Sequence, residues 1–382
     1  MWMIFVILRP WARIGILNSQ LDLKSRTLPE SWSAGCYEVW IHAASMGELR
    51  AAINLAQLIV KTNSLKVIIT VQRSSTIKLF DSTLDKSILI QSVPFDFSGL
   101  LRQFVLHFGI KSLILYESEF YPAMIQTAHS CKIPIYLASG RIKPRSYKLY
   151  QVFSFFWTPI FSKISHAFVQ SDIDQSRFFS LGIKSIEVAG NWKLLYPMRE
   201  RSAEYNWDVV FLSMHLSEFK FINRAIVQLL KKQKQVLIVP RYQKEFSGFK
   251  KQMESDFINH TVWPNRSGGP CLYLKYGGLS EILTQARACV VGGSFITAGV
   301  HDVWEPLLSG CDVWVGNNFR VMEDLPDFLF EKGLVQVLKN QTSWSHKQSG
   351  KLKTSILKES RENSYAAFQR LCGFDDFPQN KV

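Results

Sequence analysis

Several of the residues able to do chemistry in this chain stand where apolar runs give way to turns. Val39-Trp-Ile-His-Ala-Ala-Ser45-Met-Gly-Glu48 reads as a strand passing through a tight turn into a helix. An alcohol is a poor nucleophile until its proton has somewhere to go, and one carboxylate at such a turn can take it, as inversion by direct displacement requires. The same residues also form a capping box, Ser45 with Glu48 three positions on, which needs no function. A helix N-terminus lowers the pKa of Glu48 and burial raises it, and the sequence leaves that contest open. Leu113-Ile-Leu-Tyr-Glu117-Ser-Glu119-Phe-Tyr-Pro122 closes another strand with two carboxylates at i and i+2, on one face if the strand runs that far, so a cation must be near. Arg141, Lys143 and Arg145, from Ser139-Gly-Arg-Ile-Lys-Pro-Arg-Ser146, are the candidates, either as an ion-pair rim or as groups oriented toward an acidic ligand. Further on, Ala288-Cys-Val-Val-Gly292-Gly-Ser294 is a strand entering a glycine turn, which can bring backbone N–H groups close to an anion. Gly299-Val-His301-Asp302-Val-Trp-Glu305-Pro306 follows it, offering His301 to a phosphate or acidic sugar and Glu305 to hydroxyls, although a lone histidine is more often structural. Arg241 and Lys244 close the strand ending Val239-Pro240, either as solvated surface charge or with Arg241 placed to reach a nucleotide's base or phosphate. Ser213-Met-His215-Leu-Ser-Glu218 closes the strand before that one, adding a polar group or merely capping a helix.

The elements that must position these residues alternate in type. Strand-like runs are expected at Tyr37 to Ala43, Leu65 to Val71, Ser87 to Val93, Ser112 to Tyr116, Ile133 to Ala138 and His166 to Gln170, with a helix from about Ser45 to Thr62. Such spacing predicts a parallel sheet of βαβ units. Gly190 to Pro197 and the charged stretch Arg199 to Glu204 read as a linker, after which the pattern restarts. Strands are then expected at Asp208 to Ser213, Gln235 to Val239, Cys271 to Tyr276, Ala288 to Val291 and Asp312 to Gly316, with helices at Glu218 to Lys231 and Ser280 to Ala286. The expected fold class is α/β, with two Rossmann-like doubly wound domains facing each other across a cleft. The expected divisions are an interfacial segment 1–17, an N-terminal domain 18–195, a C-terminal domain 205–364 and a tail 365–382. Ligands of such sheets bind beyond the carboxyl ends of the strands, where the motifs fall.

Composition narrows the partners. The 382 residues carry a formal charge of +14, which favours an anionic partner: acidic lipid, a phosphorylated substrate or nucleic acid. The basic residues are dispersed and no RNA-binding signature accompanies them, so nucleic acid is not expected. Six widely spaced cysteines lack metal-ligand spacing and fit a reducing cytosol. The first eight residues, Met1 to Leu8, are apolar but too few to span a bilayer. With Trp2, Arg9, Trp11 and Arg13 around them, they read either as an interfacial anchor or as an element packed on the domain. The aromatic stretch Tyr150 to Lys163 reads either as a core helix or as a second membrane-facing surface.

Taken in order, eight motifs resemble those of the 3-deoxy-D-manno-octulosonic acid (Kdo) transferase family, inverting GT-B glycosyltransferases of lipopolysaccharide inner-core synthesis. The resemblance runs from about Val39 to Leu325. It is carried by Ser45-Met-Gly-Glu48, Glu117-Ser-Glu119-Phe-Tyr-Pro122, Arg141 with Arg145-Ser146, Val169-Gln-Ser171 with Asp174, Gly190-Asn-Trp-Lys193, Pro240-Arg241 with Glu245-Phe246, Gly292-Gly-Ser294 and His301 to Pro306. It implies a CMP-Kdo donor on the C-terminal domain and a lipid A precursor on the N-terminal one. It also implies a peripheral or monotopic place on the cytoplasmic face of the bacterial inner membrane, against an anionic surface, with no cofactor and no metal. By matching position, Glu48 is the expected base and Glu119 a supporting acid. Arg241, Ser213, His215, Gly292, Gly293, Ser294, His301, Asp302 and Glu305 are expected on the donor, and Ser45, Glu117, Arg141, Arg145 and Lys193 on the acceptor. The chain departs from the family at Asp302-Val303, where Asn-Pro is usual, at Gly277-Gly278-Leu279 for Gly-Glu-Leu, at Tyr242 for histidine, and around Asn317 to Met322. Those departures keep two other readings open: a different nucleotide-sugar donor, or lipid binding without turnover.

Overall fold

The computed structural model describes residues 26–27, 29, 32–72, 77, 84–197, 199, 201–202, 204–256, 258–262, 270–273, 279–318, 328–338 and 350–378. The expected anchor at 1–17, Gly277, Gly278 and residues 319–322 lie outside them. The chain divides into two compact units, residues 1–196 with 361–382, and residues 197–360.

The first unit is built on a seven-stranded sheet of β1 (Val39–His42), β2 (Val67–Val71), β3 (Ile88–Ser92), β4 (Ser112–Tyr116), β5 (Ile135–Gly140), β6 (His166–Val169) and β7 (Ile186–Val188). Its order is β3-β2-β1-β4-β5-β6-β7, and every pairing is parallel. Parallel strands covered on both faces must be apolar throughout, which is why Val-Ile-Ile-Thr-Val and Ser-Leu-Ile-Leu-Tyr are buried at every position. Alternate residues feed two cores. Trp40, Leu113 and Leu115 face Phe104 and Phe108 of α2 (Ser98–Phe108), Ile125 of α3 (Pro122–Ser130), Phe161 of α5 (Ser154–Phe161) and Phe178 of α6 (Asp172–Ser180). Val39, Ile41, Ile114 and Tyr116 face Leu49, Ala52 and Ala56 of α1 (Met46–Asn63). Helix α4 (Pro144–Val152) lies between β5 and α5 in the chain.

The second unit repeats the plan with β8 (Trp207–Met214), β9 (Val236–Pro240), β10 (Thr261–Val262), β11 (Cys271–Leu272), β12 (Ala286–Val291), β13 (Asp312–Val315) and β14 (Val335–Val337). Their order is β10-β11-β9-β8-β12-β13-β14, again all parallel. Helix α7 (Phe219–Lys231) packs Phe219, Ile222 and Ile226 against this sheet, and α8 (Phe246–Ser255) adds Phe249 and Met253. Shorter helices α9 (Leu279–Thr284), α10 (Trp304–Leu308) and α11 (Phe328–Glu331) follow, and α12 (Gly350–Gly373) ends the chain.

Both units are therefore Rossmann-like doubly wound α/β folds, as the spacing predicts. Three details differ. The stretch Gly190 to Pro197, expected as a linker, includes a 3₁₀ turn whose Trp192, Leu194 and Leu195 are buried, because Trp192 and Leu195 close the core that holds Phe168 of β6 and Leu49 of α1. Residues 361–382, expected as the end of the second domain and a tail, belong to the first unit, where Ala367, Phe368, Leu371 and Phe377 pack with Ile41 and Ile114. The aromatic stretch is amphipathic: Tyr150, Trp157 and Phe161 are core, while Val152 and Phe155 are 72% and 79% exposed.

Candidate functional site

In the first unit the strand order reverses between β1 and β4, and in the second between β8 and β12. In open parallel sheets the crevice for ligands opens at such a reversal, beyond the carboxyl ends of the strands. The motifs singled out above stand at or beside those ends.

Glu48 follows β1 at the third position of α1. The capping box is complete: Ser45 Oγ accepts from the Glu48 N–H at 3.2 Å, and Glu48 Oε2 accepts from the N–H groups of Ala44 and Ser45, each at 2.9 Å. Its Oε1 has no hydrogen-bond partner among the described residues. Burial, and after it the negative charges of Glu119 and Glu117, push this carboxyl up to about 7 against the lowering effect of the two N–H groups. The question left open by the sequence is thus decided by desolvation and like charge. Across the reversal, Glu117 has φ +54°, a conformation costly for a non-glycine residue and characteristic of sites where a side chain must be aimed. It is buried and faces Lys193 Nζ at 3.5 Å and Arg141 Nε at 3.6 Å.

Two further networks fix those cations. Asp174 Oδ1, in the first turn of α6, accepts from Ile142 N–H at 2.9 Å, and Arg177 donates to the Ile142 carbonyl at 2.8 Å, so the loop that carries Arg141 is clamped. Asn191 donates to Gln170 Oε1, and Gln170 donates to the carbonyl of Ser139, locking the turn that carries Lys193 to the end of β5. Arg145 is exposed on the first turn of α4, and among the described residues no ion pair joins it to Glu117 or Glu119. Glu119 is half-buried and bears electrostatically on Glu48.

In the second unit the glycine turn after β12 is not left open to a ligand in the way the sequence suggested. Gly292 N–H donates to Leu212 in the strand ladder at 2.8 Å. Gly293 N–H donates to Glu218 Oε2 at 2.9 Å and Phe295 N–H to Glu218 Oε1 at 3.1 Å; Oε2 also accepts from His215 N–H at 2.9 Å. A fully buried protein carboxylate therefore fills the place proposed for an anion. The glycines are required all the same: a Cβ on Gly292 would strike the backbone at Ser213, and one on Gly293, where φ is +78°, would strike the carbonyl of Gly299. Ser294 Oγ is equally structural, donating to the Val291 carbonyl at 2.6 Å and accepting from Gly316 N–H at 2.7 Å.

Above this turn His215 Nε2 and His301 Nε2 are 2.9 Å apart, and His215 Nδ1 faces Glu245 Oε1 at 4.0 Å. Burial, then Arg241, then His215 push His301 down to about 3. Arg241 itself is exposed, its guanidinium 5.9 Å from the Tyr242 ring. Asp302 Oδ1 accepts from Trp304 N–H at 2.9 Å, a local turn role that an asparagine can also fill, and Glu305 Oε1 accepts from Ser280 Oγ at 2.6 Å. Ser213, at the end of β8, has φ +55°. Sequence reasoning missed Glu218 and Glu245 as parts of the site. The signal for the first was available in the His215-Leu-Ser-Glu218 spacing of a capping box, but its reach to β12 depends on tertiary pairing. Among the described residues no group of three or more His, Cys, Asp or Glu side chains could hold a metal ion, and no helix is long and apolar enough to cross a membrane.

Comparison with known proteins adds an independent view. Residues 11–195 match the family described as 3-Deoxy-D-manno-octulosonic-acid transferase (kdotransferase). A 3-deoxy-D-manno-octulosonic acid transferase of Aquifex aeolicus is 22% identical over 326 residues, covering 85% of this chain and 88% of that protein. Another, from Rickettsia felis, is 26% identical over 296 residues, covering 72% of this chain and 63% of the relative, just under two thirds of its length. Among solved structures, the UDP-GlcNAc 2-epimerase from Methanocaldococcus jannaschii is similar in fold, with a TM-score of 0.55 and 14% identity over 84% of this chain and 92% of the other.

Proposed function

We propose that the chain is a member of the 3-deoxy-D-manno-octulosonic acid (Kdo) transferase family, whose model matches residues 11–195, and that it transfers Kdo from CMP-Kdo to an acylated, phosphorylated glucosamine disaccharide of the lipid A precursor type. It is a glycosyltransferase, and the finer reading is inversion at the sugar's anomeric carbon with Glu48 as the base. The observation that carries the reading is the state of Glu48. One oxygen is engaged by the N–H groups that aim it, the other has no hydrogen-bond partner among the described residues, and the carboxyl is raised to about 7, near the operating pH of an efficient general base. The acceptor hydroxyl gives its proton to Glu48 while its oxygen displaces cytidylate. Lys193 and Arg141, held over Glu117, are suited to an acceptor that carries phosphates, and Arg241 to the phosphate of the donor.

Transfer of radiolabelled Kdo, from CMP-Kdo generated in situ to a tetraacylated lipid A precursor, tests this directly. Wild type is expected to transfer label, and Glu48→Gln to lose roughly 10² to 10⁴ in kcat, the usual worth of a positioned base. Undiminished transfer by the mutant would remove Glu48 from the mechanism. Because the base works deprotonated, kcat/KM should rise with pH through about 7.

The reading extends to a peripheral place on an anionic membrane surface. Val152 and Phe155 are exposed beside Lys143, Arg145 and Lys148 of the α4 region, and Tyr147 Oη meets Ser180 Oγ at 2.8 Å, which joins α4 to α6 with its exposed Ile173 and Phe179. Apolar side chains within a basic surround suit insertion among anionic headgroups. Flotation with phosphatidylglycerol vesicles should recover the wild type, and Val152→Ser with Phe155→Ser should release most of it; equal recovery would move the contact elsewhere.

A further inference from the structure

The second unit gathers groups to which the transfer scheme gives no task. The rings of His215 and His301 lie 5.0 Å apart at 38°, with their Nε2 atoms in hydrogen-bond contact at 2.9 Å. Two imidazole nitrogens at that distance share one proton; a second would set two N–H groups face to face and add a positive charge to a partly buried place. His301, which burial and Arg241 hold neutral, accepts that proton at Nε2, so its own proton sits on Nδ1. That Nδ1 has no hydrogen-bond partner among the described residues. On the other ring, His215 Nδ1 faces Glu245 Oε1 at 4.0 Å, a carboxylate able to receive a hydrogen bond from a proton there.

The surrounding charged and titratable groups are few. Arg241, Tyr242, Lys244 and Glu245 come from the segment after β9, with the Tyr242 ring 5.6 Å from that of His215. Glu218 lies beneath with its oxygens taken by three backbone N–H groups, and Asp302, next to His301, is turned to Trp304 N–H. None of these separates the two histidines, and the described residues place no carboxylate in contact with His301 Nδ1.

We propose that Glu245, His215 and His301 form a proton relay that protonates the phosphate of the departing nucleotide, an inference that rests on the nucleotide-sugar donor of the reading above. The bond between the anomeric carbon and the phosphate oxygen breaks, and its electron pair stays on that oxygen. The oxygen takes the proton from His301 Nδ1. In the loaded relay the proton of His215 Nε2 passes to His301 Nε2, while the proton that faces Glu245 stays on His215 Nδ1. One positive charge leaves the relay and one negative charge leaves the phosphate, so the cytidylate departs as a monoanion instead of a dianion. With a second pKa near 6 for a phosphate monoester, the dianion is what water alone would yield at neutral pH.

Full-length wild type, His301→Gln and His215→Gln are compared in two measurements. Calorimetric titration with cytidine monophosphate at pH 7.5, in two buffers of different ionisation enthalpy, should show uptake of part of a proton by wild type and none by either mutant. In steady-state transfer, wild-type kcat should fall on the alkaline side, whereas His301→Gln should be at least tenfold slower with that fall abolished, its donor KM changed less than threefold and its melting temperature retained. A mutant that keeps the wild-type kcat and pH profile, or the same proton uptake, would overturn the relay. A wild type that transfers Kdo while the mutants behave identically to it sinks the relay alone; a wild type that neither binds cytidine monophosphate nor transfers Kdo sinks the donor reading and the relay's role with it.

Discussion

In the proposed reading Glu48 is at once a helix cap and a general base, and the turn after β1 offers the two roles different oxygens. Oε2 closes the cap, which aims the carboxylate, and Oε1 is left for a proton. The folded value near 7 stands above the ordinary 4.5, so folding binds the proton more tightly. That contribution to stability is complete below the unfolded value and is lost as pH rises through the folded one. Glu48→Gln removes the dependence. Its melting temperature relative to wild type should therefore climb between pH 5 and pH 8.5 in scanning calorimetry, and a constant offset would show an unperturbed carboxyl. Glu218 is the opposite case, a carboxylate whose oxygens are all engaged. Glu218→Gln leaves one oxygen for three N–H groups and sets an NH₂ against an amide. A cost of about 1–3 kcal/mol for each orphaned group is expected in urea denaturation, with loss of cytidine monophosphate binding as the turn loosens. Glu48 was legible as a candidate because its motif is local. The task of Glu218 was not, because a contact with Gly293 and Phe295 exists only once β8 and β12 are paired.

The elements show why the motifs gather where they do. β5 shifts register against β6 between Leu137 and Gly140, and β8 against β9 between Phe211 and Met214; each irregularity contains a serine at positive φ, Ser139 and Ser213. Such bulges bend a strand and re-aim its last side chains, and they concentrate beside active sites. In β8 the bulge precedes His215, and in β5 it precedes Arg141. Glycine adopts this backbone freely, whereas a β-branched residue does not. Ser213→Gly should thus be neutral or stabilising, and Ser213→Val should cost roughly 1–2 kcal/mol by denaturant midpoint; equal effects would mean that the bulge relaxes away. Long apolar strands and the alternation that orders them were readable in the sequence, so most of both sheets could be laid out in advance. The edge strands β7 and β14 were not, since three residues such as Ile-Glu-Val or Val-Gln-Val carry too little pattern to stand out from a loop. The bulges were invisible for a different reason: serine at positive φ has no compositional mark.

For the whole molecule the decisive fact is that the chain leaves the first unit at residue 196 and rejoins it at 361. Tyr136 hydrogen-bonds to Asp376 and stacks on Phe374, while Phe368 and Leu371 complete the core that also holds Ile41 and Ile114. Truncation after residue 360 should therefore unfold or loosen the first unit selectively: hydrogen exchange in β1, β4 and β5 should accelerate by orders of magnitude while β8 and β12 stay protected. Even loss of protection across both sheets would refute the division. The sequence hid this return because α12 is polar over much of its length and its few large apolar side chains read as a tail. A consequence concerns the birth of the protein on the ribosome. At about 5–20 residues per second, the roughly 160 residues of the second unit keep the unfinished first unit waiting on the order of 10–30 s for its last helix. Its apolar sheet face is open to aggregation for that time, so faster elongation of the second half should raise the yield of folded protein.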